Sequence, residues 1–255
     1  MLPKQLSRAD SAVLAQVFDP ESAASRAEII IDPSLPEDRH IHNAALLAQL
    51  RTREREAISI IEDFERNKAR FPDVKESAKD AAYRAALTSL DALIAEFPNY
   101  ASARNNRAQM RRWRFGDRNT LVRPNSLLYA DQCAGGVAAE ADLKACIIAA
   151  SPARPQDAVS PAQGKLLAQA YTQLGALYHA AAKDLESGNA GVVAAIDGVK
   201  WNGNRFEEEA SRAFYLGGLY GNEVAKALAV HTNPHAKLCG SIVKEAMRNE
   251  METAW

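Results

Sequence analysis

The sequence predicts an all-α protein whose helices stack in pairs as a right-handed solenoid. Apolar residues recur with helical spacing through most of the 255 residues, and no segment keeps the strict alternation of a strand. Alanine occurs in runs such as Ala180–Ala182 while aromatic residues make up only 7%, and alanine both favours helices and lets them approach closely. One pattern of paired helices also repeats along the chain, which is typical of a solenoid.

The clearest copy of this pattern lies in the third quarter of the chain. Its first helix carries the stretch Tyr171-x2-Leu174-Gly175-x2-Tyr178. Residues three and four apart share a helix face, so the two tyrosines and Leu174 form one stripe. Gly175 would cost a lone helix about 1 kcal/mol relative to alanine, which indicates that a partner helix approaches there. This is the first-helix signature of a tetratricopeptide repeat, with tyrosine in place of the usual tryptophan.

The second helix of each pair is predicted from a small-x3-large-x2-small pattern. In the third quarter this is Ala210-x3-Phe214-x2-Gly217, and upstream it recurs as Ala86-x3-Leu90-x2-Leu93 and Ala139-x3-Leu143-x2-Cys146. The matching small positions of the first helices upstream are Ala57 and Ala108. The sequence therefore predicts three repeats, at about 37–98, 99–152 and 164–222, within a repeat region of 37–230.

Every repeat is longer than the compact form, and the extra residues fall between its two helices. The paired small positions lie 29, 31 and 35 residues apart, against about 12 in a 34-residue repeat. Equivalent turns of a solenoid line up, so we expect three insertions along one edge. The first lengthens its helix and turns at Phe71–Asp73; the second, 116–136, is expected to be a loop because it contains Pro124 and Gly135-Gly136. In the third, 186–204, Trp201 is expected to pack back on the solenoid.

The ends of the chain are predicted to cap the stack. Residues 1–36 should contain a short helix from Asp10 to Phe18 and an extended segment, and a long first helix is expected from Pro36-Glu37-Asp38 onward. Residues 231–255 should form a capping helix that starts at Asn233-Pro234, where an N-cap precedes a proline at the first helical position.

Three stretches point beyond the general repeat class. They are Ala103-Arg104-Asn105-Asn106-Arg107-Ala108-Gln109, Gly217-Gly218-Leu219-Tyr220-Gly221-Asn222 and Asn233-Pro234-His235-Ala236-Lys237-Leu238-Cys239. In this order they resemble the tetratricopeptide repeat protein 36 family, over roughly Ala57 to Met247 and interrupted by the insertions; the chain resembles an elongated fungal member. The resemblance implies three repeats, no enzymatic activity, an association with the heat-shock-70 chaperone system and, from the vertebrate members, a link to tyrosine metabolism.

A protein partner is expected on the concave face, which the first helices line with polar side chains: Arg55, Asn105, Asn106, Gln109, Arg112, Gln169 and Gln173. Amide-rich faces can hold an extended peptide backbone. The carboxylate clamp of many chaperone-binding repeats is incomplete, however. Of the five clamp positions, which hold Glu54, Ile58, Asn106, Gln169 and Gln173, only Asn106 matches, and a glutamate would repel a carboxylate.

An arginine-rich stretch in the second repeat leaves other partners open. Seven arginines lie between Arg104 and Arg123 with only Asp117 among them to oppose their charge. They fit a solvated face, an acidic protein partner or nucleic acid. The formal net charge of −1 excludes a globally basic nucleic-acid binder, and few aromatic side chains interleave with the arginines to stack on bases.

Catalytic motifs are lacking in the sequence. There is no phosphate loop, nucleotide fingerprint or catalytic triad order, and the close pairs His40-x-His42 and His231-x3-His235 do not present zinc spacing on one helix. We therefore predict no catalytic residues, no metal and no cofactor. Three widely spaced cysteines indicate reduced thiols, and no secretion signal or membrane span is evident, so the expected location is the cytoplasm, with the nucleus as an alternative.

Overall fold

The structure is a computed structural model that describes residues 29–70, 75–188 and 191–233. The predicted helix from Asp10 to Phe18, the turn at Phe71–Asp73 and the capping helix from Pro234 onward lie outside these residues. Within them the chain forms seven α-helices: α1 (Ala44–Arg70), α2 (Glu76–Glu96), α3 (Ala101–Phe115), α4 (Ala130–Ala150), α5 (Pro161–Glu186), α6 (Gly203–Leu219) and α7 (Glu223–Thr232). The prediction of a mostly helical chain is confirmed.

Each helix packs against the next one along the chain. Helices α1 and α3, and helices α3 and α5, also touch. The main core runs from α3 to α7, and two smaller apolar clusters lie among α1, α2 and α3. Because each helix packs mainly onto its neighbours in the sequence, the fold needs close helix contacts at every step.

The small residues singled out in the sequence lie at these contacts. Ala86, Ala108, Ala139 and Ala210 are fully buried, and Ala57 is 1% exposed. Gly175 of α5 faces Phe214 of α6 so closely that a Cβ on the glycine would come within 2.8 Å of the phenylalanine ring. The predicted reason for this glycine, the approach of a partner helix, is confirmed.

The first helix begins later than the sequence predicted. Residues 37–40 form a bend, 41–43 have no regular structure, and α1 starts at Ala44. Asp38 is buried and accepts the backbone N–H groups of His40 and Ile41 at 2.8 and 2.9 Å, so its carboxylate stabilises a turn instead of a helix start. Asn43 caps α1 instead, because its side-chain oxygen accepts the N–H of Leu46 at 3.1 Å.

The second insertion was predicted to be a loop as far as Gly136, and this is wrong for its last third. Helix α4 already begins at Ala130, so both glycines lie inside it. They are needed for packing: a Cβ on Gly135 would lie 2.4 Å from the Phe115 ring, and one on Gly136 would lie 2.4 Å from Thr120. The glycine pair therefore marks a close approach of α4 to the end of α3 and the loop that follows it.

The second and third insertions meet through four short strands: β1 (Val122–Arg123), β2 (Val192–Val193), β3 (Ala195–Ile196) and β4 (Val199–Lys200). Strand β1 pairs antiparallel with β2, which joins the two insertions, and β3 with β4 forms a hairpin. Trp201 follows the hairpin and packs on Tyr178 and Phe206, with ring centroids 5.1 and 5.3 Å apart. The expectation that Trp201 packs back is confirmed.

Helix α7 was missed in the sequence. It follows a turn at Gly221, which has φ +95°, and is capped by Asn222, whose side-chain oxygen accepts the N–H of Ala225. Gly217 and Gly218 let it lie against α6: a Cβ on Gly217 would meet Ala225 at 3.1 Å. The stretch 217–222, which resembled the end of a repeat, is therefore the end of α6 and the turn between the closely packed helices α6 and α7.

Replacing Gly175 by alanine should destabilise the fold. The new Cβ would overlap the buried Phe214 ring, and overpacking of about 1–3 kcal/mol exceeds the gain in helix propensity of about 1 kcal/mol. Gly203→Ala is the matched control, because that glycine also lies in a helix and a Cβ there would meet nothing within 4 Å. Urea unfolding of both variants checks this; equal stabilities would contradict the close approach.

Candidate functional site

The seven side chains predicted on the concave face come from three helices and do not converge on one site. Arg55 of α1, Gln109 of α3 and Gln169 of α5 are exposed. Asn105 is buried, and the remaining three are half-buried. The structure brings together Asn105, Arg112 and Gln173, which belong to α3 and α5.

These three residues bond to each other across the contact between α3 and α5. The Nε2 of Gln173 donates to Oδ1 of Asn105 at 2.9 Å, and Nη1 of Arg112 donates to Oε1 of Gln173 at 3.0 Å. Arg112 also makes two hydrogen bonds to the carboxylate of Asp117, at 2.6 and 2.8 Å. The polar groups thus satisfy one another, and a partner that used them would have to replace these bonds.

Asn106, the one residue that matched the carboxylate clamp, is bound inside the chain. Its Nδ2 donates to Oε1 of Glu54 at 2.9 Å, and the hydroxyl of Tyr100 donates to the other oxygen of that carboxylate. Glu54 is 5% exposed, and burial raises the pKa of its carboxyl above the ordinary value despite these donors. The clamp position therefore holds a buried acid and its donor in place of a receptor for a carboxylate.

The arginine stretch is not a free basic patch. Arg107 makes two hydrogen bonds to Asp142 of α4 and one to Asp91 of α2, and Arg111 also bonds to Asp142. Further ion pairs join Arg104 to Asp142, Arg112 to Asp117, Arg114 to Glu76 and Asp80, and Arg118 to Asp184, while Arg123 donates to two backbone carbonyls. Most of these acids lie on other helices, so the sequence showed only Asp117.

Asp142 is the centre of this arrangement. Its side chain is 4% exposed and faces three arginines of α3. The hydrogen bonds to Asp142 are the main reason why the pKa of Arg107 lies above its ordinary value. A buried carboxylate with several guanidinium partners ties α3 to α4, and removal of one side would leave uncompensated charge. The stretch that had suggested an acidic or nucleic-acid partner thus has a role inside the fold.

A pocket that the sequence did not predict lies between α5, α6 and the β3–β4 hairpin, with a volume of about 300 Å³. Tyr171 and Leu174 of α5 and Leu216 of α6 give it apolar walls, and Trp201 lies at the hairpin end. We call it the α5–α6 pocket. In the sequence these α5 residues indicated only a repeat; Trp201 was expected to pack back on the solenoid, but nothing in the sequence showed that it would lie beside them.

The hairpin end of the pocket is charged but balanced. Lys144 of α4 pairs with Glu140 at 2.8 Å and with Asp197 of the hairpin at 2.6 Å. Tyr178 donates its hydroxyl to the same Glu140 at 2.8 Å. Burial, and next the charge of Glu140, raise the pKa of Tyr178. Tyr178 therefore stays a neutral hydrogen-bond donor at physiological pH.

Histidine and cysteine side chains do not gather into a reactive or metal-binding group in the residues that the structure describes. Ring nitrogens of His40 and His42 lie 3.1 and 2.8 Å from backbone carbonyl oxygens, and no cluster of three potential metal ligands occurs in the described ranges. Burial raises the pKa of the Cys146 thiol to about 12, which keeps it protonated. None of the helices in these ranges is long and apolar enough to cross a membrane.

Replacing Glu54 by glutamine should change the pH dependence of stability. Because the folded-state pKa of Glu54 is raised above 4.5, the wild-type protein loses stability as pH rises from 4.5 through the raised pKa. A glutamine can accept from Asn106 and donate to Tyr100 without titrating. The stability of the variant should therefore increase relative to that of the wild type as pH rises from 4.5 to 7.

Urea unfolding at several pH values measures this difference. Glu56→Gln serves as the control, because Glu56 is an exposed neighbour on the same helix. If the difference in the free energy of unfolding between Glu54→Gln and the wild type stays constant with pH, Glu54 does not have the raised pKa of a buried carboxyl.

Comparison with known proteins gives one informative relative. The chain is 38% identical over 254 residues to the L-tyrosine degradation gene cluster protein hmgX of Aspergillus fumigatus, and the alignment covers 97% of this chain and 94% of that protein. No family profile and no solved structure matches the chain. Identity at this level over nearly both full lengths shows common descent, and the chain therefore belongs to the hmgX protein family.

Proposed function

We propose that this chain is a non-enzymatic adaptor, built as a right-handed solenoid of three tetratricopeptide repeats, that binds a protein in L-tyrosine degradation. The assignment to tyrosine degradation rests on the similarity to a full-length relative, which is named for an L-tyrosine degradation gene cluster. The resemblance to the tetratricopeptide repeat protein 36 family points the same way, because its vertebrate members are linked to tyrosine breakdown. That resemblance rests on three short stretches of the sequence.

The helix contacts support the repeat assignment. Helices α1 and α2, α3 and α4, and α5 and α6 coincide with the three predicted pairs, and each pair contacts the next through neighbouring helices. The small positions predicted for the two helices of each pair are buried. The insertions of the second and third pair meet through β1 and β2, as equivalent turns along one edge would.

The position of the buried charges supports an adaptor over an enzyme. Asp142 and Asp184 pair with arginines of other elements, and Glu54 accepts hydrogen bonds from the next helix pair. These groups connect helices to one another. None of these three acids lines the α5–α6 pocket, where a general acid or base could meet a substrate.

A heat-shock-70 chaperone is a candidate partner, without the carboxylate clamp. Glu54 occupies the first clamp position and Asn106 is bonded to it, so the C-terminal carboxylate of a chaperone would meet a buried acid. Arg55, Gln109 and Gln169 remain exposed on the predicted concave face and are available to a partner.

Deletion of the gene in the native organism tests the pathway. We expect growth on L-tyrosine as sole carbon source to fail while growth on glucose is unchanged, and affinity capture from tyrosine-grown cells to recover a protein of tyrosine degradation or a chaperone. Normal growth of the deletion strain on tyrosine would contradict the proposal.

A binding assay with a purified heat-shock-70 chaperone tests whether the carboxylate clamp is missing. The intact chaperone and a form without its last residues should bind with equal affinity. A loss of binding on truncation would show that a clamp exists.

A further inference from the structure

We propose that the α5–α6 pocket binds a short segment of the partner protein that carries a carboxylate beside an aromatic or large aliphatic side chain. This inference rests on the proposed function only in that the partner is a protein. It adds where that partner is held and which chemistry holds it.

The apolar part of the site is the cleft between two helices. Tyr171 and Leu174 lie on one stripe of α5, and Ala213 and Leu216 line the facing side of α6. Leu174 is 7% exposed, so it forms a floor, while Tyr171 and Leu216 are half-buried and reach the surface. A cleft of about 300 Å³ with these walls takes one or two side chains. Aromatic-walled clefts of this kind hold the anchor residues of many protein interfaces.

The charges around the cleft are unbalanced at one end only. At the hairpin end Lys144 is compensated by Glu140 and Asp197, and Arg205 lies 2.8 Å from Glu209 while stacking over the Trp201 ring. At the other end stands Arg212, which is exposed and has no carboxylate partner within the described part of the chain. Arg212 is therefore the cation left to receive an anion.

Arg212 lies beside the apolar wall. Arg212 and Tyr171 both line the pocket. Burial raises the pKa of Tyr171, while a side-chain hydrogen bond with Ser151 and, next, the positive charge of Arg212 oppose that rise. A guanidinium next to an aromatic ring offers two parallel hydrogen bonds to a carboxylate and an apolar surface for its neighbour. Free carboxylate-bearing aromatic molecules share this chemistry, so the experiment below includes one.

The length and the charge of the cleft favour a peptide over nucleic acid. Arg205 and Arg212 are two helical turns apart on α6, about 10 Å, which three extended residues span. A phosphate backbone of that length would place charge against Asp197, whose side chain is 77% exposed, and against Glu209. A single carboxylate at the Arg212 end, followed by an apolar side chain in the cleft, meets neither acid.

The test uses fluorescein-labelled six-residue peptides that contain one glutamate and one phenylalanine, separated by zero to three alanines. Matched peptides carry glutamine for the glutamate or alanine for the phenylalanine, and phenylacetate serves as the free aromatic carboxylate. Fluorescence anisotropy with the full chain is expected to show binding for one of the spacings, and either replacement should weaken it about tenfold.

Arg212→Gln should weaken binding of the glutamate peptide about tenfold and leave the glutamine peptide unchanged. The matched control is Arg154→Gln, an exposed arginine paired only with Asp157 three residues away. Both arginines are exposed, so circular dichroism should show unchanged folds. Failure of every peptide to bind at millimolar concentration, or equal weakening of both peptides by Arg212→Gln, would overturn the inference.

Phenylacetate that binds as tightly as the best peptide would also overturn it, in favour of a small-molecule site. These failures differ from a failure of the proposed function. If the peptides do not bind but the deletion strain still fails to grow on tyrosine, only the pocket inference is wrong. If the deletion strain grows normally on tyrosine, the proposed function is wrong, even if the peptides bind.

Discussion

The close approach of neighbouring helices at alanine and glycine is the constraint on which the rest of this structure depends. At Gly175 the backbone of α5 and the ring of Phe214 are in contact, and Gly135 meets Phe115 in the same way one helix pair earlier. Each helix packs mainly onto the next one along the chain, with smaller contacts between α1 and α3 and between α3 and α5, so few other contacts can compensate for a gap or a clash there. The positions of all other side chains, including the charged ones, follow from this spacing.

Because the helices pack this closely, charged side chains on neighbouring helices come within hydrogen-bonding distance of one another. Asp142 meets three arginines of α3 because α4 lies against that helix, and Glu54 meets Asn106 because α1 touches α3. The arginine stretch and four of the seven side chains predicted on the concave face are therefore bonded within the fold. Arg55, Gln109 and Gln169 remain exposed, and the α5–α6 pocket is open to a partner, with Arg212 lacking a carboxylate partner in the described chain.

Local pattern was enough to predict six of the seven described helices and the small buried positions, because helix periodicity and the packing role of a glycine such as Gly175 are properties of one or two turns. It was not enough for Gly135-Gly136, where the same residue type marks a contact inside a helix and not a loop. Nor could it reveal the acids opposite the arginines or the pocket under Trp201. Asp142 and Asp184 lie more than 30 positions from the arginines Arg111 and Arg118, and Trp201 lies 23 positions from Tyr178, so only the packed helices bring these residues together.

In the function proposed above, the third helix pair and its hairpin hold the partner, in place of a carboxylate clamp. Hydrogen–deuterium exchange of the chain, free and bound to the protein recovered from tyrosine-grown cells, tests this most directly. The expected result is new protection in 192–216 and in the exposed face of α5, with the exchange of α1 unchanged. Protection confined to the facing surfaces of α1 and α3, with none at the hairpin or α6, would contradict it.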